Sequence, residues 1–214
     1  MDRLASLSSQ LIAGKAKDPN DVVICSAVRT PLTKAKRGGL KDTQPDTLLT
    51  AVFSGAVERA KCCPKKVQDI CVGNNLMVGA GEIHFRMAQL MAGIPDSTPI
   101  MAVNRLCSSG LESCATIAAK IKAGTIDCGL GAGIECMSLY DMNASVNTER
   151  ISDSVFDNET ARKCLMGMGE TSENVAEKYG VTREQQDRMA VESHQKAYKA
   201  QKAGLFKGKQ PTEI

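Results

Sequence analysis

The sequence contains no tryptophan, and aromatic residues make up only 3% of its 214 residues. Hydrophobic residues still reach 43%, so a core has to be built from aliphatic side chains. The length suits one large domain or a core with an insertion. No apolar run approaches the length of a membrane-spanning helix. The net charge is only +3, with acids and bases interspersed, so we expect neither nucleic acid nor a membrane surface as a partner.

Histidine is almost absent too, with only His84 and His194, while cysteine is plentiful at nine. The cysteine count is odd and no C-x-x-C occurs, which argues against both a disulfide framework and a zinc site. We therefore expect no metal and a reducing, intracellular setting. Most thiols should be small buried hydrophobes.

Apolar patterning predicts strands that alternate with helices. This order is typical of an α/β fold with a mostly parallel sheet. The predicted strands are 22–28, 67–72, 99–103 and 128–134, and the predicted helices are 47–60, with Asp46 as N-cap, 82–92 and 108–123.

The pattern changes after residue 139. Residues 140–162 predict a polar loop, followed by a helix that ends at Gly180. A longer helix begins at a capping box of Thr182 and Gln185 and ends at Gly204. We expect four parts: a targeting segment and linker (1–20), a core (21–139), a helical insertion (140–205) and a return strand (206–214).

The predicted helix 108–123 is apolar around most of its circumference. Such a helix should be covered on several sides. One sheet covers a single side, so this helix needs a further layer that the sequence does not evidently supply.

One cysteine stands apart from the others, in the stretch NRLCSSG at 104–110. Cys107 lies where a predicted strand passes into a predicted helix, and the positive end of the helix dipole favours an anion such as a thiolate there. The small residues after Cys107 permit a carbonyl to approach backbone N–H donors, as covalent acyl transfer requires. The alternative is a buried structural cysteine at the same junction.

NRLCSSG resembles the nucleophile motif of thiolases, usually N-R-Q-C-S-S-G, with Leu106 in place of glutamine. VVICSAVRTPL, VGNNLMVGAG, AGTIDCGLGAGIECMSL and MGETSENVAEKYGVTREQQD resemble further thiolase segments in the same order. The resemblance is strongest to peroxisomal 3-ketoacyl-CoA thiolases. It implies a thiolase-like α/β half-core, with a mixed, mostly parallel sheet and a helical loop-domain insertion.

The resemblance also implies a reaction, the thiolytic cleavage of 3-ketoacyl-CoA by coenzyme A in fatty-acid β-oxidation. Cys107 would be the acyl-carrying nucleophile, and Met168 matches a methionine near the substrate's sulfur, with core packing as the alternative role. Coenzyme A would be a substrate, no cofactor is implied, and the expected assembly is a homodimer.

Thiolases also carry G-H-P, C-x-G and N-E-A motifs; G-H-P and N-E-A do not occur in this sequence, and its one C-x-G, Cys71-Val72-Gly73, falls at the end of the predicted strand 67–72. In the family their histidine activates the nucleophile and their cysteine handles the α-carbon proton. We expect His84 and His194 to be structural or solvated, and the chain alone to have very low activity. The alternatives are a non-catalytic half-subunit that binds acyl-CoA or pairs with full-length thiolase, and, less favoured, a ketosynthase-like condensing enzyme.

The N-terminal segment has a targeting pattern. Arg3-Leu4, five residues and Gln10-Leu11 resemble the type 2 peroxisomal signal, which predicts a peroxisomal location and an import receptor as partner. The alternative is an amphipathic helix that docks on the protein itself.

Overall fold

The structure, a computed structural model, describes residues 18–142 and 148–206. The targeting pattern and nearly all of the predicted return strand lie outside these ranges. The elements in chain order are α1 (Pro45–Arg59), β1 (Asp69–Gly73), α2 (Glu82–Met91), β2 (Ile100–Val103), α3 (Ser109–Lys122), β3 (Gly129–Gly133), α4 (Asp153–Asp157), α5 (Glu159–Arg162), α6 (Met168–Tyr179) and α7 (Arg183–Lys202).

The strands form one parallel sheet in the order β2-β1-β3. In register, Cys71 of β1 faces Met101 of β2 on one side and Gly131 of β3 on the other. The alternation of strands and helices therefore predicted the α/β class correctly. All three described strands are parallel, in agreement with the mostly parallel sheet that was expected.

One face of the sheet carries the aliphatic core. Side chains alternate along a strand, and Ile70 and Val72 of β1 point towards α1 and α2. There they pack with Phe53 and Phe85, and all four are at most 1% exposed. This side supplies most of the buried apolar surface that holds the fold together.

The other face packs against α3 through very small residues. A Cβ atom at Gly131 would lie 2.7 Å from the Cα of Cys114, and one at Gly73 would lie 2.3 Å from the Ser109 carbonyl oxygen. The Ser113 hydroxyl donates to the Ala132 carbonyl at 2.6 Å. Glycines in the strands thus let α3 approach the sheet closely enough for direct polar contact.

The described residues cover only one side of α3. Its buried residues are Ser109, Ser113 and Ile117, whereas Leu111 is 75% exposed and Ala115 is also exposed. The further layer that the apolar circumference calls for is not supplied by the described residues.

The predicted first strand, 22–28, was wrong. The segment has no regular secondary structure, and Val23 and Ile24 are 72% and 87% exposed. Its first residue, Val22, lies in a surface groove against the C-terminal half of α3. β-Branched residues favour a strand only when a neighbouring strand supplies hydrogen bonds and packing, and in the described structure β1 alone pairs with β3.

The first helix begins earlier than predicted. Gln44 is its N-cap and Pro45 its first residue, a position that suits proline because no N–H is needed there. Asp46 is therefore not the cap, and its carboxylate instead accepts from the Thr47 N–H at 2.8 Å.

The helical segment 148–206 is open to solvent, and α4 to α7 contain no buried residue. The predicted capping box is confirmed: the Gln185 N–H donates to the Thr182 hydroxyl (3.3 Å) and the Thr182 N–H to the Gln185 side chain (2.9 Å). The predicted loop 140–162 contains two short helices, α4 and α5.

Within the described ranges, no helix combines the length and apolarity needed to span a bilayer.

Candidate active site

The candidate site lies at the edge of the sheet where the three parallel strands end. Asn74 and Asn75 follow β1, Asn104 follows β2, and Glu135 comes two residues after β3. Parallel sheets place their ligand sites at this carboxyl edge. The polar residues that directly follow the strands could therefore have pointed to this site from the sequence, whereas the NRLCSSG motif alone does not include those after β1 and β3.

Cys107 lies in the turn between β2 and α3, two residues before the helix begins. Its side chain is exposed, which contradicts the alternative of a buried structural cysteine. α3 is 14 residues long, long enough to present the positive end of its dipole and unpaired N–H groups to an anion in this turn.

Leu106, the residue before Cys107, has a left-handed backbone with φ of 49°. This conformation costs a non-glycine residue roughly 1–2 kcal/mol, so the surrounding contacts must enforce it. The Leu106 N–H donates to Asn104 Oδ1 at 2.9 Å, and its carbonyl accepts from the Ser109 hydroxyl at 2.6 Å. Leucine is not a turn residue, so the sequence alone did not predict this strain.

Two buried polar residues tie the turn to the sheet. Ser109 is 5% exposed; its hydroxyl accepts from the Arg105 N–H at 2.9 Å and lies 3.3 Å from the carbonyl oxygen of Asn74, which follows β1. Asn74 is 1% exposed; its amide donates to the Ile134 carbonyl (2.7 Å), and its side-chain oxygen accepts from the Met77 N–H (2.9 Å). Buried polar groups fully satisfied in this way make a loop rigid.

The Glu135 carboxylate joins the ends of β3 and β1. It accepts from the backbone N–H of Asn75 (3.1 Å) and Leu76 (3.2 Å) and from the Asn74 side-chain amide (3.3 Å). Partial burial of the carboxylate raises the pKa of Glu135, and these three hydrogen bonds oppose that rise.

Two thiols outside the Cys107 turn are held in the neutral form by burial. Burial raises the pKa of Cys71, with a smaller contribution from the nearby Asp69 carboxylate. Burial also raises the pKa of Cys128, which lies beside Cys62. Both shifts favour the neutral, unreactive thiol.

The other predicted site residue, Met168, is the first residue of α6 and is 66% exposed. This exposure contradicts core packing as its role, and its predicted place near a substrate stays a prediction. His84 lies in α2 and the exposed His194 in α7, and neither hydrogen-bonds the Cys107 turn. Within 18–142 and 148–206, no cluster of side chains has the composition of a metal site.

Residues 22–214 match the family model of the thiolase N-terminal domain. Peroxisomal 3-ketoacyl-CoA thiolase B of Rattus norvegicus is 47% identical over 188 residues, which are 88% of this chain and 44% of the rat protein. The chain thus spans less than half the length of this curated relative.

Two solved structures of the peroxisomal thiolase of Saccharomyces cerevisiae are also similar. One, described as dimeric, has a TM-score of 0.83 at 41% identity, with 91% of this chain and 51% of that chain covered. The other is described as five-layered and built from two core domains of identical topology. It has a TM-score of 0.75 at 39% identity, with coverage of 91% and 52%.

Proposed function

The chain belongs to the thiolase family, whose N-terminal domain it matches, and from that premise we propose that it carries the nucleophile of a peroxisomal 3-ketoacyl-CoA thiolase. The observation that supports this most is the exposed Cys107 at the start of α3, behind a strained left-handed residue. The nucleophile, the strain and the helix terminus coincide at the carboxyl edge of the sheet, where parallel α/β folds bind ligands.

The proposed chemistry is an acyl transfer in two steps. The Cys107 thiolate attacks the 3-keto carbon, and the bond between the second and third carbons breaks. The departing two-carbon unit takes up a proton and leaves as acetyl-CoA. The shortened acyl group, held as a thioester on Cys107, then passes to the sulfur of a second coenzyme A, which restores the thiol.

Backbone donors at the turn would assist this step. The first N–H groups of a helix have no intrahelical partner, and Gly110, in the first turn of α3, has open space around the position of a Cβ atom. A carbonyl oxygen can therefore reach the helix terminus, where developing negative charge is stabilised. Met168 would contact the substrate near its sulfur, coenzyme A would be the only co-substrate, and no metal or cofactor takes part.

The base is the missing component. No G-H-P or N-E-A motif occurs in the 214 residues, and the one C-x-G, Cys71-Val72-Gly73, lies in β1 with Cys71 fully buried. No group of this chain is therefore assigned to deprotonate Cys107 or to protonate the departing carbanion. We therefore propose that this chain by itself turns over very slowly.

A steady-state assay with acetoacetyl-CoA and coenzyme A tests this account. The expected result is a trace turnover that Cys107→Ser abolishes. Turnover at the level of full-length family members would contradict the incomplete site, and trace turnover that persists in Cys107→Ser would contradict Cys107 as nucleophile.

A second candidate function is that of a non-catalytic half-subunit that binds acyl-CoA or pairs with full-length thiolase. The exposed outer face of α3 favours it, since an apolar helix face normally packs against another layer. The outer edge of β2 also favours this function. Within the described sheet β2 pairs only with β1, and an unpaired strand edge can add a strand from another copy. A homodimer through this edge is the assembly we propose.

For location, we propose the peroxisome, with an import receptor that binds the N-terminal segment. Arg3, Leu4, Gln10 and Leu11 carry the targeting pattern, and the rat relative is named peroxisomal. Residues 1–20 fused to a fluorescent protein should enter peroxisomes, and an Arg3→Glu fusion that enters equally well would refute the signal.

A further inference from the structure

The structure contains a continuous hydrogen-bonded link from Glu135 to the residue that precedes Cys107. We propose that Glu135 is a positioning residue, which fixes the Cys107 turn through the Asn75–Leu76 peptide group and the Asn104 side chain. This inference rests on the proposed role of Cys107. It adds a residue that the nucleophile motif does not contain and that lies 28 positions further along the chain.

The first part of the link is one rigid peptide group. The Leu76 N–H donates to Glu135 Oε1 at 3.2 Å. The Asn75 carbonyl belongs to the same planar unit and accepts from Asn104 Nδ2 at 3.1 Å. Because the N–H and the carbonyl of one peptide unit cannot rotate independently, the carboxylate determines where the carbonyl points.

The second part is the Asn104 side chain, which acts as a bridge. Its Nδ2 is held by the Asn75 carbonyl, and its Oδ1 accepts from the Leu106 N–H at 2.9 Å. The amide is planar, so fixing its donor end also fixes its acceptor end. The acceptor end in turn holds Leu106 in its left-handed conformation, directly before Cys107.

The second oxygen of Glu135 makes the arrangement specific for a carboxylate. Oε2 accepts from the Asn75 N–H at 3.1 Å, so both oxygens are acceptors at the same time. A glutamine offers only one acceptor, and its NH₂ group would meet a backbone N–H. Substitution by glutamine keeps the size of the side chain but should release one end of the Asn75–Leu76 segment.

The chain offers a matched control. Asp69 also carries a carboxylate at an end of β1, but at the amino end, where it pairs with Lys120 of α3. Its substitution disturbs the same strand and the same helix without touching the link. Asp69→Asn therefore separates loss of stability from loss of positioning.

The experiment measures the rate at which iodoacetamide labels Cys107 in the full 214-residue chain, by peptide mass spectrometry, with the exposed Cys164 as internal reference. Loss of a hydrogen bond to a charged group should lower the population of the intact turn, and with it the rate of Cys107 labelling, by about tenfold. Glu135→Gln should lower Cys107 labelling by that order, and Asp69→Asn should leave it unchanged.

Asn104→Ala gives a second, independent test, because Asn104 is exposed and its truncation is compatible with folding. It should lower Cys107 labelling to a similar extent, and the double variant should be no slower than the slower single variant, since both act through one link. The proposal is overturned if Glu135→Gln or Asn104→Ala labels at the unsubstituted rate, if Asp69→Asn slows labelling equally, or if the two effects multiply. Labelling requires no thioester, so failure of the acyl-transfer proposal would show separately, in the turnover assay.

Discussion

At the scale of single residues, the proposed site depends on Leu106 and Cys107. Leu106 is 69% exposed and left-handed, so it combines a backbone cost with little compensation from burial. Its N–H donates to the Asn104 side chain, and its carbonyl accepts from the hydroxyl and the N–H of Ser109. Strain enforced by surrounding contacts is typical of functional sites, and here it occurs directly before the proposed nucleophile.

Replacement of Leu106 by glycine tests this strain. Glycine adopts positive φ at no steric cost but loses more conformational entropy on folding. Removal of the left-handed backbone strain contributes about 1–2 kcal/mol, which offsets or exceeds the entropy cost of glycine. Leu106→Gly should therefore leave the free energy of unfolding unchanged or raise it by up to about 1 kcal/mol.

The control for that variant is Leu111→Gly, since Leu111 is similarly exposed (75%) but helical. It should lower the free energy of unfolding by about 1 kcal/mol. Urea titration measures both variants, and an equal loss of stability in the two would show that Leu106 carries no backbone strain.

At the scale of elements, the position of Cys107 depends on how closely α3 approaches the sheet. The helix rests on Gly129 and Gly131 of β3 and on Gly73 of β1, where an added Cβ atom would lie 2.9 Å or less from a neighbouring atom of α3. The Ser113 hydroxyl contacts the Ala132 carbonyl directly. A shift of α3 away from the sheet would move its N-terminus and Cys107 with it.

Gly131→Ala should therefore affect both stability and the site. Its Cβ would lie 2.7 Å from the backbone of Cys114, and relief of such overpacking typically costs about 1–3 kcal/mol. We expect thermal unfolding at a lower temperature together with slower labelling of Cys107.

Gly110→Ala is the matched control, because no atom beyond the adjoining helix backbone lies within 4 Å of the added Cβ there. This change in the first turn of α3 should raise the free energy of unfolding by up to about 1 kcal/mol. If Gly131→Ala is as stable as Gly110→Ala, the close approach of α3 is not a structural requirement.

At the scale of the whole molecule, the sequence predicted most of the fold. Strands at 67–72, 99–103 and 128–134 and the helices between them were confirmed to within about two residues, because apolar periodicity and glycine caps report local structure directly. The strand predicted at 22–28 was wrong, since strand formation depends on a hydrogen-bonding neighbour that the local sequence does not reveal.

The site was predictable only in part. The motif located Cys107 correctly at the start of a helix. The hydrogen bonds of Asn74, Asn104 and Glu135 join segments up to 61 residues apart, and their pairing follows from the register of the sheet rather than from any local pattern. The apolar circumference of α3 predicted that the helix needs a further layer, and among the described residues its outer face remains exposed.

That outer face predicts association. A full-length peroxisomal 3-ketoacyl-CoA thiolase should co-purify with the chain, and Leu111→Lys should weaken this capture by roughly tenfold or more, because a charge would be buried at the contact. Leu205→Lys is the control, since Leu205 is 65% exposed and lies outside α3. Equal capture of both variants would show that α3 is not the contact surface.

The central claim is that Cys107 is the thiol that accepts an acyl group, and the most direct measurement is the location of that group among the nine cysteines. The chain is incubated with acetyl-CoA at neutral pH, digested under conditions that preserve thioesters, and mapped by peptide mass spectrometry. The account predicts acetylation at Cys107 well above that at the exposed Cys25, Cys63, Cys114 and Cys164. Acetylation spread evenly over these thiols, or absent from Cys107, would contradict it.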